Sequence, residues 1–170
     1  VVTLGASTTI AEYMLPFLLG DFKSKNPEVN IRLKVSNTDG IVSMVENNVI
    51  DLGVVEAPVT NKNLAGEACR TERLGAITPP GHTLAKSGNI PVKAIVDYPF
   101  ILREEGSGTR EVIMDYLREA GVDPSEIDVI MELGSLEALK GAVEAGIGIS
   151  IISAATVVKE IKLGSVAVLE

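Results

Sequence analysis

The chain has 170 residues, of which 46% are hydrophobic and 22% charged, enough to bury a core as one domain or as two small lobes. Its formal net charge of −8 at pH 7, with no run of lysine or arginine, argues against nucleic-acid binding by this segment. No apolar run approaches the ~20 residues that span a bilayer. The lone Cys69 excludes an internal disulfide and favours a reducing compartment.

The first 36 residues predict a strand, a helix and a second strand. Residues 1–4 form an apolar run typical of a core strand, and because the chain opens on this run we interpret it as a domain of a longer protein. In residues 29–36 apolar and polar side chains alternate, as in a strand with one solvated face. Between these strands, Thr9 and Glu12 predict a capping box at the start of a helix. The apolar stripe of that helix is Ile10, Met14, Phe17, Leu18 and Phe22.

The next elements repeat this alternation. Helical spacing of apolar residues predicts a helix over residues 38–49, and the run at 52–55 predicts a strand. A strand at 74–78 then leads into Pro79-Pro80-Gly81-His82, a breaker cluster where the chain can pass from one lobe to another. Strands that alternate with helices imply a mostly parallel sheet.

The second half continues the pattern. Strands are predicted at residues 99–102, 127–133, 147–152 and 166–169. Helices are predicted after Gly108, after Ser135 and over residues 154–162. The expected buried stripe of the first of these helices is Val112, Ile113, Tyr116 and Leu117.

Short stretches rich in glycine and hydroxyl residues stand at four predicted helix starts. They are Gly5 to Thr9, Ser36 to Gly40, Gly106 to Thr109, and Gly134 with Ser135. A helix start has unpaired N–H groups and partial positive charge, so such a stretch can bind an anion, although each can equally be an ordinary cap. Ligands of open α/β sheets bind at the carboxyl ends of strands, where all four stretches lie. Together they predict a cleft for a small solute in a two-lobed binding module.

Five segments, in order and at the expected spacing, resemble the effector-binding domain of LysR-type transcriptional regulators. They are Ile50 to Gly53, Pro79 to Ala85, Arg103 to Arg110, Gly134 to Lys140 and Gly146 to Ile149. The resemblance covers essentially the whole chain. It implies an α/β, periplasmic-binding-protein-like type II fold, in which two α/β lobes are joined by two crossing segments near residues 77–80 and 152–156. Lobe I would comprise residues 1–77 and 155–170, incomplete at its C-terminus, and lobe II residues 78–154.

In that family the effector binds between the lobes, and the resemblance implies its contacts residue by residue. Ser7 and Thr8 match the hydroxyls of the first loop, and Thr38 matches the contact at the second helix start. The loop of the second lobe is matched by Ser107, Gly108 and Thr109.

Two further contacts are predicted from the residues themselves. Ser135 belongs to the last of the four glycine- and hydroxyl-rich stretches. Glu56, at the end of a predicted strand, would place a carboxylate near the cleft, where it would repel a bare anion or hold an amino group.

The resemblance also implies a role and partners. The chain would be the cytoplasmic sensor of a small metabolite that is an anion, a carboxylate or related to amino acids, and it would form a homodimer or homotetramer. DNA would be contacted only through an N-terminal winged helix-turn-helix domain that this sequence does not contain. The ligand would favour a more closed state and so change the spacing of paired DNA-binding domains. No cofactor, metal or membrane is expected.

Other functions stay open as alternatives. A periplasmic solute-binding protein for an oxyanion or carboxylate shares the two-lobed plan, and a dehydratase of the prephenate type shares the fold. Ser107 within Gly-Ser-Gly suggests a nucleophile, but the single histidine, His82, lies in the breaker cluster, and no histidine or cysteine cluster can hold a metal. We therefore predict no catalytic residue. Arg110 either contacts a ligand anion or pairs with a nearby carboxylate.

Overall fold

The computed structural model describes residues 1–87 and 91–169, and the chain divides into two compact units. The first unit is Val1–Arg70 with Gly106–Gly108, and the second is Thr71–Glu105 with Thr109–Glu170. Residues 71–77 and 155–169, which the predicted division gives to lobe I, therefore lie in the second unit. They do so because the strand Leu74–Thr78 and the strand Ala167–Leu169 pair with each other in that unit.

The first unit is built on a parallel sheet. Strand β1 (Val2–Ser7) lies between β2 (Ile31–Ser36) and β3 (Leu52–Val54), and both pairings are parallel. Helices α1 (Thr8–Tyr13) and α2 (Leu15–Lys25) connect β1 to β2, and α3 (Thr38–Glu46) connects β2 to β3. The predicted alternation of strands and helices is confirmed here.

The single helix predicted over residues 10–22 is wrong, because the chain breaks at Met14 into α1 and α2. Pro16 stands in the first turn of α2, where its missing N–H costs no hydrogen bond; inside one continuous helix it would remove one. The predicted capping box is also wrong. Ser7 is the residue before α1, and the buried Thr9 hydroxyl has no hydrogen-bond partner among the described residues.

Much of the predicted apolar stripe of α2 and of the apolar side of β2 is exposed. Phe17 is 81% exposed, and Leu18, Phe22, Leu33 and Val35 are exposed as well. Since β2 is an edge strand, it lacks a neighbour on its outer side. The buried apolar residues of this unit include Ala6 of β1, Ile10 and Ala11 of α1, Leu15 at the start of α2 and Ile41 of α3.

In the second unit the described residues form two sheets. β4 (Leu74–Thr78) lies between β7 (Ser150–Ser153) and β8 (Ala167–Leu169) and is antiparallel to both, whereas β5 (Phe100–Arg103) and β6 (Val129–Leu133) form a parallel pair. The prediction of a mostly parallel sheet is wrong for the sheet of β4, β7 and β8. Its strands come from distant parts of the sequence, so they are not bound to the parallel geometry of a strand-helix-strand unit.

Four further helices and three short 3₁₀ helices lie in the described part of the chain. The helices are α4 (Thr83–Lys86), α5 (Gly108–Glu119), α6 (Leu136–Glu144) and α7 (Val158–Leu163), and the 3₁₀ helices are Val92–Asp97, Pro124–Glu126 and Ala154–Val157. Helix α5 buries Ile113 and Leu117 in the core of the second unit. Tyr116 was predicted to belong to the buried stripe of this helix. That prediction is wrong, because Tyr116 is exposed.

Candidate functional site

Hydroxyl side chains gather at the carboxyl edge of the first unit's sheet. β1 and β2 end on Ser7 and Ser36, which are paired in register. The next residue after β1, Thr8, begins α1, and Thr38 begins α3. Since parallel strands end at the same edge of a sheet, Ser7, Thr8 and Thr38 form a group that we name the hydroxyl cluster.

Two members of the hydroxyl cluster are buried without a hydrogen bond. Ser7 is 2% exposed and Thr38 is 4% exposed, and neither hydroxyl oxygen has a partner in the described part of the chain. The Thr8 hydroxyl donates a long bond of 3.5 Å to the carbonyl of Ser36. An unsatisfied buried hydroxyl costs about 1–3 kcal/mol and is rare in native proteins. These two hydroxyls are therefore candidates for binding a ligand.

The amino terminus of α3 is occupied by groups of the protein itself. The Gly40 N–H donates to Asn37 Oδ1 at 3.0 Å, and the Ile41 N–H donates to the Asn37 carbonyl at 3.0 Å. The Asp39 N–H donates to the carbonyl of Gly106 at 3.2 Å. These three amides are thus paired within the protein, and a role of backbone N–H groups at helix starts in ligand binding stays a prediction.

The residues Gly106–Gly108, which we name the glycine loop, pack against this helix start as part of the first unit. Gly106 has a φ of +79°, a conformation that L side chains rarely adopt. A side chain on Gly108 would overlap the Thr38 hydroxyl and would lie 3.1 Å from the backbone nitrogen of Ala57. Both glycines are therefore required by the close packing of the loop on α3.

The remaining predicted contacts fall in both units. Ser107 is 2% exposed in the glycine loop, and Glu56 is half-buried after β3. Thr109, buried, and Ser135, exposed, belong to the second unit. Ser135 acts as a cap, because its hydroxyl accepts from the Ala138 N–H at 3.3 Å. Their roles in ligand binding stay predictions.

An arginine cluster of the second unit is engaged in ion pairs. Arg110 donates to the carboxylate of Glu132 and to the carbonyl of Arg103, so of its two proposed roles the pairing with a carboxylate is observed. Arg103 is 2% exposed and donates twice to Glu104, at 2.8 and 3.1 Å. Arg103 was not predicted as a buried residue, because a charged residue after the three apolar residues of a strand is typical of a solvated strand end.

A buried lysine was also missed. Lys140 of α6 is 3% exposed, and its amine donates to Glu137 at 2.8 Å, to Glu160 at 2.7 Å and to the Thr156 carbonyl at 3.1 Å. Burial lowers the pKa of Lys140, but the hydrogen bonds and charges of the two glutamates outweigh it and raise that pKa. Burial likewise opposes the shift of Glu160, whose pKa is nevertheless lowered, chiefly by the hydrogen bond from Lys140. The three-residue spacing of Glu137 and Lys140 on one helix was the sequence signal that could have indicated this ion pair.

The single histidine has a structural contact. His82 precedes α4, its Nδ1 accepts from the Leu84 N–H at 3.2 Å, and its ring meets Tyr98 edge-on with centroids 5.0 Å apart. Within residues 1–87 and 91–169, no group of three histidine, cysteine or acidic residues could hold a metal ion. None of the helices described is long and apolar enough to cross a membrane.

Comparison with known proteins places this geometry in a family. Residues 1–170 match the profile of the LysR substrate binding domain. A probable RuBisCO transcriptional regulator of Gracilaria tenuistipitata var. liui is 33% identical over 166 residues, which are 96% of this chain and 54% of that protein. The CcmR regulatory domain of Synechocystis PCC6803, solved in complex with 2-PG, is 37% identical with a TM-score of 0.87, covering 99% of this chain and 79% of that one. The effector binding domain of QuiR in complex with shikimate shares the fold, with 22% identity, a TM-score of 0.84 and the same coverage.

The chain belongs to the LysR substrate-binding domain family. Its fold is the type II periplasmic-binding-protein-like fold, which confirms the predicted fold class. Its relatives include proteins named as transcriptional regulators and a regulatory domain, so the interpretation as an effector-binding domain of this family is confirmed and the transport alternative is not favoured. The chain spans about half the length of the curated relatives it matches.

Proposed function

We propose that this chain is the sensing part of a longer cytoplasmic transcriptional regulator and that its hydroxyl cluster contacts the effector. The observation that supports the proposal is the pair of buried hydroxyls, on Ser7 and Thr38, that end without protein partners at the carboxyl edge of the parallel sheet. A small ligand with oxygen acceptors would satisfy both. Further contacts would come from Thr8, Glu56, Ser107, Gly108, Thr109 and Ser135.

We infer that the effector is a small anion. The CcmR domain, 37% identical to this chain, is in complex with 2-PG (2-phosphoglycolate), and the QuiR domain is in complex with shikimate. Both molecules carry a carboxylate and other oxygen atoms, and hydroxyl groups such as those of Ser7 and Thr38 are suitable donors to them. The half-buried Glu56 would favour an effector that also bears a hydrogen-bond donor.

Thermal unfolding of the chain with 2-phosphoglycolate, shikimate and sulfate tests the proposal. A ligand that binds only the folded state raises the midpoint, because it adds RT ln(1 + [L]/Kd) to the free energy of unfolding. We expect one of these anions to raise it by several degrees.

Two matched variants then locate the site. Thr38→Val and Thr78→Val each remove a buried, unpartnered hydroxyl while they keep the shape of the side chain, but Thr78 ends β4 in the second unit. We expect Thr38→Val to weaken binding about tenfold, the cost of one hydrogen bond, and Thr78→Val to leave it unchanged. Equal affinities of the two variants would remove Thr38 from the site.

We further infer that the regulator is a homodimer or homotetramer that contacts DNA through a part outside this segment. The net charge of −8 disfavours DNA contact by the segment itself. Exposed apolar side chains of α2 and the edge strand β2, with a groove of about 610 Å³ lined by residues of both, suit an interface between copies.

Sedimentation equilibrium tests this interface with a matched pair. Phe17 on α2 and Leu163 on α7 are each 81% exposed. We expect Phe17→Lys to weaken self-association at least tenfold, because it places a charge in an apolar contact, whereas Leu163→Lys should leave it unchanged. Dissociation by Leu163→Lys alone would assign the interface to the second unit.

A further inference from the structure

We propose that residues 158–165 of the second unit, which we name the strap, are a conformational switch that an ion pair with α6 holds closed. The strap comprises α7 and the turn that follows it. It opens as one piece while the rest of the unit stays folded, and opening uncovers the buried amine of Lys140. The switch does not depend on the function proposed above.

Apolar packing does not hold the middle of the strap. No residue of α7, all of which the structure describes, is buried, and Val158, Ile161 and Leu163 are exposed. A helix of six residues is unstable in water by itself, and most helices are held by an apolar face that packs on the protein. The chain is anchored on either side of the strap, because Val157 and Val166 are buried. The strap is therefore fixed at its two ends by apolar contacts, but not between them.

Polar contacts with α6 hold the middle instead. The Lys140 amine donates to Glu160 Oε1 at 2.7 Å, and it also donates to the carbonyl of Thr156, just before the strap, at 3.1 Å. One helical turn further along α6, the Glu144 carboxylate accepts from the Ser165 hydroxyl at 2.5 Å. Residues four apart lie on the same side of a helix, so α6 presents a cation and an anion that bind the strap at two points.

The carboxylate of Glu160 both closes the strap and limits how firmly it closes. The side chains of Glu160 and Lys140 are largely buried, so water screens their attraction only weakly, whereas the Ser165 contact joins a neutral hydroxyl to the exposed Glu144. The other oxygen, Glu160 Oε2, is buried without a hydrogen bond among the described residues. Such an oxygen is costly to bury and regains water when the strap opens. One oxygen of this carboxylate therefore favours the closed strap and the other favours the open one.

Opening of the strap leaves the Lys140 amine with a counter-charge. Glu137, one turn earlier on α6, lies 2.8 Å from this amine, and this ion pair lies within one helix. Breaking a buried ion pair is most costly when one charge is left alone, which does not happen here. The second unit therefore has a closed state, in which the amine is covered, and an open state, in which it is a surface cation beside Glu137.

Amide hydrogen exchange of the 170-residue chain, followed by NMR, tests the switch. The Ser165 amide, bonded to the Glu160 carbonyl, reports on the strap, and the Ile147 amide, bonded to α6, reports on the rest of the unit. We expect Ser165 to exchange at least tenfold faster than Ile147. Its rate should not change in about 1 M urea, because a local opening exposes little surface. Equal rates with equal urea dependence of the two amides would overturn the switch.

A matched pair of variants then tests the ion pair. Glu160→Gln and Glu137→Gln each remove one carboxylate charge from Lys140, but only Glu160 belongs to the strap. We expect Glu160→Gln to speed exchange of the Ser165 amide at least tenfold and Glu137→Gln to leave it unchanged, since the Glu137 pair is present in both states. If the two variants have the same effect on Ser165, the ion pair does not control the strap and the proposal fails.

Acetylation by acetic anhydride, measured by mass spectrometry, follows the amine itself. In the unchanged chain Lys140 should react at least tenfold more slowly than the exposed Lys162. We expect Glu160→Gln to remove most of this protection, whereas Glu137→Gln, which takes away the same charge, should retain it. Equal protection of Lys140 in the two variants would show that the strap does not cover the amine, and would overturn the proposed open state.

Discussion

Buried polar groups have different surroundings in the two units. In the first unit the hydroxyls of Ser7, Thr9 and Thr38 are buried without partners among the described residues. In the second unit most such groups are satisfied: Arg103 pairs twice with Glu104, and Lys140 donates to three oxygens. Among the described residues of this unit, the Thr78 hydroxyl and one carboxylate oxygen of Glu160 are buried without a hydrogen bond.

The contrast separates groups that stabilise the fold from groups that are available to a ligand. A satisfied buried network fixes one arrangement, whereas an unsatisfied hydroxyl lowers stability until something binds it. Position then distinguishes the unpartnered hydroxyls from one another. Ser7 and Thr38 lie at the carboxyl ends of paired parallel strands, whereas Thr78 ends a strand of the antiparallel sheet.

The largest effect on stability is expected at the buried lysine. Lys140→Ala should lower the free energy of unfolding by about 3 kcal/mol, because the carboxylates of Glu137 and Glu160 lose their shared cation. Urea unfolding measures this change, and the exposed Lys162 gives the control, since Lys162→Ala should change stability by less than about 0.5 kcal/mol. Equal midpoints for the two variants would show that the ion pairs of Lys140 do not stabilise the unit.

The pH dependence of stability sharpens the same comparison. The pKa of Glu160 lies below its ordinary value of 4.5, so the stability it contributes is present above that value and is lost as the pH falls through the lowered pKa. The pKa of Lys140 lies above 10.5, so its contribution is present below that value and is lost as the pH rises through the raised pKa. The difference in unfolding free energy between the unchanged chain and Lys140→Ala should be largest between about pH 5 and 10. A difference that is constant from about pH 3 to 11 would contradict this assignment.

Local sequence signals predicted the order of elements well. The strand at 74–78 has the predicted bounds, and the helix starts at Thr38 and Leu136 follow polar residues whose side chains accept from the first turn. The hydroxyls that gather at one sheet edge were also predictable, because strand ends and helix starts are both local. The glycine- and hydroxyl-rich stretches thus indicated the candidate site before the structure did.

Features that depend on distant pairing were not predictable in this way. The alternation in residues 29–36 predicted a buried face, but Leu33 and Val35 of the edge strand β2 are exposed, because burial of a face depends on which distant part of a chain packs over it. The antiparallel sheet around β4 joins segments about 75 and 90 residues further along the chain, a separation that no local pattern encodes. The burial of Lys140 depends likewise on Glu160, 20 residues away.

The smallest expected effect tests the comparison most directly, with one residue type in both units. Ser7 and Ser150 are 2% and 0% exposed. The Ser150 hydroxyl donates to the Ile101 carbonyl at 2.7 Å, whereas the Ser7 hydroxyl has no partner within residues 1–87 and 91–169. Ser150→Ala should lower the free energy of unfolding by about 1 kcal/mol, because it leaves that carbonyl without its donor. Ser7→Ala removes a hydroxyl that has no partner in the described part of the chain, so it should leave stability unchanged or raise it by up to about 1 kcal/mol. Urea unfolding of both variants without ligand decides the matter: if Ser7→Ala is as destabilising as Ser150→Ala, the Ser7 hydroxyl is bound within the protein and is not available to an effector.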